Sequence, residues 1–593
     1  MSILNKLTEG IVNRDLQKEG TALRSKWERT GLLEGLGDER TKDTMSVLLE
    51  NQAKELLREA STMVSGDVEG FAAVAFPIVR RVFGGLIAND LVSVQPMSLP
   101  SGLIFFLDFT FDPQAAFRLG NQQNNSLFGG GVVGQQITGG VDLGGLNAER
   151  SFYALNNGYS SPTGSIAELT IVTICSGTVG TVSTTLPGTD RGGGVTQDQF
   201  NRLLRFDADL TDGTSIAAIG SLQLTGAATG LADLNFDDLI TITVEDGLNV
   251  NGPQLRRLTQ FSGTDGGLRK PGEDKSTALV VVASAEGTRT AAQLDTDLQG
   301  NHTISFALKD DFANVSRSGA EGAVVGSTPW GLESNADIPE IDIKVDSVSV
   351  TAVTKKLKAK WTPELGQDLN AYHNLDAEVE LTSILSEQIA LEIDREILED
   401  LVVGATAGSL YWSRSPGLFV NRETGAEIGA SAAAPDFTGT VSEWYETLIE
   451  TINDVSARIH RKTLRGGANF VVCGPEVASI LEFTSGFRAS VTVDSDRGTV
   501  GSVKVGNLSK KWDVYVDPYF PRNVCLVGRK GNSFLESGYV YAPYVPLQVT
   551  PTIFGVEDFV PRKGVMTRYA KKMVRPDMYG LVVVRGLLGE SGA

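Results

Sequence analysis

The chain has 593 residues, 41% of them apolar, which is enough for several domains with cores of their own and excludes a chain too polar to fold. Lysine and arginine number 52 against 72 acidic residues, a formal net charge of -20, the wrong sign for a protein that grips nucleic acid through its phosphates. Cys175, Cys473 and Cys525 lie far apart in apolar stretches, which excludes a disulfide scaffold and suits buried thiols in a reducing cytosol.

The first residues mix Lys6, Glu9, Arg14 and Asp15, with no apolar core of a signal peptide. No segment reaches the ~18–20 apolar residues of a membrane span, so the expectation is a soluble, cytoplasmically made protein with no membrane contact. Up to about residue 60 the chain reads as charged helix. Leu49, Ala53, Leu56 and Ala60 form a narrow apolar stripe of the kind that needs a partner. Val92 to Phe111 reads as extended, with a turn at Ser98-Leu99-Pro100-Ser101-Gly102. Between about 121 and 335 the composition shifts to Gly, Ser, Thr, Asn and Asp. Short strand-like runs recur at Leu169–Ile174, Leu239–Val244, Leu279–Ala283 and Thr303–Leu308, which predicts an inserted all-β domain built as a small sandwich.

Alternation resumes at Ile341 and ends in Lys355, Lys356, Lys358 and Lys360, a pattern expected of a long exposed arm with lysines on one face. From Leu375 to Val402 the residues Leu381, Leu385, Ile389, Ile393, Ile397 and Leu401 form an i+4 ridge, with Asn374 as the expected N-cap and Gly404 beyond the end. A second helix is expected from about Ser442 to Lys462. A strand follows at Asn469–Cys473, then a short helix opened by Pro475, then strands at Trp512–Val516 and Val524–Gly528. The tail from Val549 is basic and ends in the apolar run Leu581–Val584.

Four blocks resemble the major head protein family of T-even-like myoviruses, tailed bacteriophages. They are Val79-Arg80-Arg81-Val82-Phe83 through Pro100-Ser101-Gly102-Leu103-Ile104-Phe105; Val348-Ser349-Val350-Thr351-Ala352 through Leu375-Asp376-Ala377-Glu378; Arg465-Gly466-Gly467-Ala468-Asn469-Phe470-Val471-Val472 with Pro475-Glu476-Val477-Ala478; and Tyr541-Ala542-Pro543-Tyr544-Val545-Pro546-Leu547-Gln548 with Gly564-Val565-Met566-Thr567-Arg568-Tyr569. Together they span about half the chain in the family's order, and they leave 121–335 unmatched.

The resemblance implies an α+β chain with the tailed-phage major capsid shell fold (HK ninety-seven-like). Its parts would be a propeptide-like segment at 1–59, an N-arm at 60–98, an extended loop at 99–120 and 336–362, a peripheral domain with a spine helix at 363–440, an axial domain at 441–548, and a return to the peripheral domain at 549–593. The implied function is a major capsid protein, not an enzyme and without cofactor. It would self-assemble as hexamers into the icosahedral head of a virion enclosing double-stranded DNA held without sequence-specific contacts. The implied partners are further copies of itself, the vertex, portal, scaffold and decoration proteins, and a prohead protease. That protease cuts after a glutamate preceded two residues earlier by an apolar residue, which nominates Glu59-Ala60; Leu32-Leu33-Glu34 and Leu48-Leu49-Glu50 fit as well. A pentameric vertex paralogue, and a surface protein binding glycans or host material through the insertion, remain alternatives.

The chemistry of a catalyst is scarce. His302, His373 and His460 are the only histidines, without His-Glu-x-x-His or Cys-x-x-Cys spacing. No phosphate loop or Gly-x-Ser-x-Gly elbow occurs. Asp207, Asp209 and Asp212 have the wrong spacing for a calcium loop. Glu387, Glu392, Asp394, Glu396 and Glu399 read as a solvated acidic helix face. The basic clusters are local exceptions on an acidic chain: Lys355/Lys356/Lys358/Lys360, Arg458/Arg461/Lys462/Arg465, and Arg562/Lys563/Arg568 with Lys571/Lys572. The lysine strand and Arg562, Lys563 and Arg568 are the expected inter-subunit contacts, where charge sets register.

Overall fold

The computed structural model describes residues 16–34, 36, 39–60, 86–111, 163–179, 196–210, 215–224, 234–236, 239, 242–244, 254–263, 268–285, 290–307, 341–428, 437–489, 503–532 and 536–587. The Val79–Phe83 block lies outside them. The chain divides into two compact units, Met1–Leu107 with Val132–Gly140 and Val345–Ala593, and Asp108–Gly131 with Val141–Lys344.

The first unit opens with helices α1 (Leu16–Glu28) and α2 (Glu39–Ala60). They pack on each other, and Trp27, Leu33, Met45, Leu48 and Leu49 are buried in the unit's main core. Lys26 pairs with Glu50 at 2.6 Å, while the Asn51 amide donates to the carbonyls of Met97 and Tyr544 at 2.9 and 3.2 Å. The one-turn helix α3 (Ala88–Leu91), strand β1 (Ser93–Val94) and strand β2 (Ser101–Phe111) follow.

The second unit contains β3 (Thr163–Thr178), α4 (Gln197–Leu203), β4 (Ser215–Gln223), β5 (Thr243–Val244), β6 (Gln260–Phe261), β7 (Thr277–Ala285), α5 (Ala291–Leu298) and β8 (Gly300–Ala307). Its antiparallel sheet runs β5-β8-β3-β4-β7-β6. One face packs Ala218, Val280 and Val282 with Leu294 and Leu298 of α5; the other packs Ala217, Ile219 and Val281 with Phe200 and Leu203 of α4. Burial on both faces explains why β7 reads as a continuous apolar run rather than an alternation. This corrects the expected all-β sandwich, because the described residues form one sheet between two short helices. Each helix starts on a capping box, Thr196 with Gln199 and Thr290 with Gln293. Gly220 is required beneath α5, where a Cβ would sit 2.4 Å from Ile171 Cγ2.

The chain continues with β9 (Ile341–Thr351), β10 (Val353–Lys360), α6 (Pro363–His373) and α7 (Ala377–Val403). Next come β11 (Ser409–Ser413), α8 (Val441–Thr463), β12 (Phe470–Cys473), α9 (Pro475–Glu482) and β13 (Phe487–Ala489). The last elements are β14 (Val503–Leu508), β15 (Trp512–Val516), β16 (Val524–Gly528), β17 (Tyr539–Val549), β18 (Ile553–Phe554), β19 (Pro561–Met573) and β20 (Tyr579–Arg585). Strands β2 and β9 pair as a two-stranded ribbon. One sheet runs β1-β17-β19-β10 with β18 beside β19; the other runs β11-β20-β16-β12-β15-β14-β13.

Helix α7 carries the expected ridge, with Ile389, Ile393, Ile397 and Leu401 buried, and at 27 residues it spans about 40 Å. Its start differs from expectation. Asn374 does not cap α7 but closes α6 at φ 53°, a left-handed position that asparagine tolerates, and Asp376 is the N-cap, accepting from the Glu378 N–H at 2.9 Å. Helix α8 starts on the capping box of Thr440 and Glu443. Alternation then sorts the seven-stranded sheet. Phe470, Val472, Tyr515 and Leu526 face the core shared with α7, and Val471, Cys473, Val514, Cys525 and Val527 face α8 and α9.

Candidate assembly surfaces

The lysine strand does not prolong the ribbon. β10 lies antiparallel to β19, with Lys356 opposite Met566, Lys358 opposite Gly564 and Lys360 opposite Arg562. A strand turns successive side chains to opposite faces, so the four lysines divide. Lys355 points with Leu357 toward α7, where its ammonium lies 2.7 Å from Glu396 and 3.9 Å from Glu392. Lys356, Lys358 and Lys360 are exposed on the other face, which Arg562 and Arg568 share through the register Lys360↔Arg562 and Thr354↔Arg568. Arg562 pairs with Asp558 at 2.7 Å, and the Arg568 guanidinium lies over the Tyr544 ring at 5.5 Å. Lys563, on the helix side, meets Glu378 at 2.6 Å. The expected contact residues therefore split into an outward basic face and two lysines, Lys355 and Lys563, satisfied within the chain.

The acidic residues of α7 are not uniformly solvated, which corrects the reading of that face. Glu396 accepts from Lys355, Lys571 and the Tyr569 hydroxyl, and Asp400 pairs with Lys571 at 2.7 Å while accepting the Tyr539 hydroxyl at 2.7 Å. Burial by itself would raise the Glu396 carboxyl, but the hydrogen bonds from Lys355, Lys571 and Tyr569 outweigh it and hold the pKa down to about 2. Asp394 is buried in the helix middle, with Ile87 and Ala88 donating their backbone N–H groups at 3.3 Å each. Burial, with some help from the charges of Asp517 and Asp90, pushes its pKa up to about 7 against those hydrogen bonds. The sequence reading put Glu392, Asp394 and Glu396 on a solvated face and did not single out Asp400, although Glu392, Glu396 and Asp400 stand at i, i+4, i+8 on one helical face.

The other basic cluster is internal in character. Arg458 pairs with Glu423, Lys462 donates to the Thr406 carbonyl at 2.8 Å, and Arg465 pairs with Glu536 at 2.9 Å. Asp207 and Asp209 are held by Arg257 at 2.8 and 3.2 Å, a guanidinium standing where the calcium reading would need an ion; Asp212 lies outside the described residues. Among the described residues no group of three or more His, Cys, Asp or Glu could hold a metal, and no helix is long and apolar enough to cross a membrane. Glu59 and Ala60 lie at the end of α2, inside the helix. Of the alternative cut positions, Leu33 and Leu49 are buried.

Exposed apolar surface marks the remaining candidates. In the ribbon, Leu103, Phe105 and Leu107 on β2 and Ile341, Ile343 and Val345 on β9 are each 51–67% exposed. Phe554, Val556 and Phe559 are exposed around β18. Helix α6 has no buried residue at all. Soluble monomers rarely leave so many large apolar side chains in water without a use for them.

A sequence model of the family described as major capsid protein Gp23 matches residues 68–202 and 254–590. The major capsid protein of Vibrio phage KVP40 is 32% identical over 245 residues, 40% of this chain and 46% of its own length. That of Enterobacteria phage T4 is 30% identical over 308 residues, 49% of this chain and 55% of its own length. The chain spans about half the length of the curated relatives it matches. Among solved structures, the capsid of Myoviridae phage XM1 aligns at a TM-score of 0.27 and 12% identity over 44% of this chain and 82% of that one. A virus-like particle from Pyrococcus furiosus aligns at 0.25 and 7%, over 40% and 80%. With the family's pattern matched on both sides of residues 203–253, over well more than half its length, this chain belongs to the major capsid protein Gp23 family.

Proposed function

We propose that this chain is the shell subunit of a tailed-phage head. Copies join as hexameric capsomers, the capsomers tile an icosahedral shell, and the shell encloses double-stranded DNA that it does not read. No reaction is catalysed. The carrying observation is the β2–β9 ribbon, whose alternate large apolar residues stand in water. A two-stranded ribbon is marginal by itself, and full burial of each such side chain is worth about 1.5–3 kcal/mol. A surface of this kind is stable when a neighbour covers it.

The parts take their places accordingly. The ribbon serves as the extended loop, α7 as the spine, residues 441–548 as the axial domain and 549–593 as the return to the peripheral domain. Vertex, portal, scaffold and decoration proteins are the expected partners. A prohead protease would cut between Glu59 and Ala60 during maturation. Negative-stain imaging and sedimentation of the purified chain test the reading: shells, tubes or capsomer sheets support it, and a species that stays monomeric at high concentration rejects it.

A further inference from the structure

We infer that the outward lysine face of β10 and β19 in one copy seats on helix α6 of a second copy. The inference rests on the self-assembly reading and gives that assembly a specific contact.

Helix α6 carries the first half of the argument. It has eleven residues, a Thr362 side-chain cap and no buried residue. A helix that short is marginal in water unless something packs on it. Its surface is also not that of a solvated helix: Leu365 is 49% and Tyr372 82% exposed, and Leu375 and Val379 continue the apolar surface into α7. Glu364 and Asp368, one turn apart and both exposed, put negative charge on the same side as Leu365.

The sheet supplies the complement. Lys356, Lys358 and Lys360 are exposed in a row, and among the described residues no carboxylate lies within ion-pair distance of them. At the β18 end of this sheet Phe554, Val556 and Phe559 are exposed. One surface is thus acidic with apolar side chains, and the other is basic with apolar side chains. Copies with a net charge of -20 repel each other at long range, so a stable contact has to bring local cations onto local anions. Every copy carries both surfaces, so the contact can repeat throughout a lattice. A nucleic acid could use the lysines but would leave the apolar side chains of α6 uncovered.

The test uses the full chain, imaged and sedimented at low and high salt, with and without duplex DNA. The variants are Lys356→Glu/Lys358→Glu/Lys360→Glu and Glu364→Lys/Asp368→Lys. Each alone should lower the assembled fraction at least tenfold, with circular dichroism and melting temperature unchanged. An equimolar mixture of the two should assemble, because each reversed surface then meets its opposite on the other chain, and a chain carrying all five changes should assemble too. If a reversal unfolds the chain, the neutral Lys→Gln and Glu364→Gln/Asp368→Gln variants replace it, with the expected readout a flatter dependence of assembly on salt. Normal assembly of either reversal overturns the inference, as does failure of both mixture and combined variant to recover. A lysine defect that appears only when DNA is present assigns the face to nucleic acid and overturns it as well. Wild-type chain that never assembles instead overturns the shell-subunit reading itself, a distinguishable result.

Discussion

The carboxylate of Asp394, buried in the middle of the spine helix, accepts the backbone N–H of Ala88 at 3.3 Å across 306 positions of sequence. Ile87 donates to the same group, so one side chain fixes the start of α3 against α7. Its folded-state pKa of about 7 lies above the ordinary 3.8 of a free aspartate. The folded chain therefore holds this proton where the unfolded chain has lost it. The associated stability is present below about pH 4, falls as pH rises, and is gone above about pH 7. Asp394→Asn removes that slope. The melting temperature of the variant, relative to wild type, should be higher at pH 8 than at pH 5; equal differences at the two pH values would remove Asp394 as the source.

Glu396 behaves in the opposite sense. Its pKa is held near 2, below the usual 4.5, so the stability it contributes is present above about pH 4.5 and is lost as pH falls toward 2. Glu396→Gln leaves Lys355 short of its nearest carboxylate and Lys571 with Asp400 alone. The site is partly open to solvent, so the expected loss is about 1–2 kcal/mol. Urea titration at pH 7 checks it.

Residues 108–344 should fold when expressed apart from the rest of the chain. Their sheet has its own buried residues on both faces, and both helices carry complete capping boxes. A single cooperative melt with a mixed helix and strand circular-dichroism spectrum is expected. A random-coil spectrum would show that the unit depends on its surroundings.

The three thiols should be silent in the folded chain. Cys175, Cys473 and Cys525 are all buried; burial pushes Cys175 up to about 12, and Cys473 is raised by its hydrogen bond with Cys525 on the neighbouring strand as well as by burial. A disulfide-exchange dye at pH 8 should titrate none of them until denaturant is added, and then three per chain.

Cutting at Glu59-Ala60 requires the last turn of α2 to leave its helical form, because a protease reads an extended backbone. Intact mass of subunits from mature particles should correspond to a chain beginning at Ala60. A mass retaining Met1 or Ser2 rejects the site. Breaking the anchor with Asn51→Ala, which removes the bonds to the Met97 and Tyr544 carbonyls, should speed the cut.

Much of the fold was legible because long amphipathic helices announce themselves: the i+4 ridge of α7 is a local signal, and α8 was expected to within a residue of its start although its Thr440–Glu443 capping box was not read. The N-cap of α7 was misread because Asn374 and Asp376 both suit a cap, and only the separate helix α6 decides between them. The lysine strand was misread for a deeper reason. Its alternation shows that two faces exist, but the partner strand β19 lies some two hundred residues later, and nothing local says which face α7 will cover. The same distance hid the roles of Glu396 and Asp394, whose partners come from β10, β19 and the start of α3. The helices of the insertion did carry a readable signal, Thr-x-x-Gln at Thr196 and Thr290, obscured by the strand-like runs around them.

The sheet order also sets a timetable. β1 must wait for β17, β10 for β19 and β11 for β20, so these three strands of the first unit find those neighbours only as the last residues are made. At typical synthesis rates of about 5–20 residues per second, β10 would wait roughly ten to forty seconds for β19, its only strand partner among the described residues. Residues 108–344 have every strand pairing within reach much earlier. A ribosome should therefore carry a finished insertion ahead of an unfinished body, and chains stopped short of β19 should be those that aggregate.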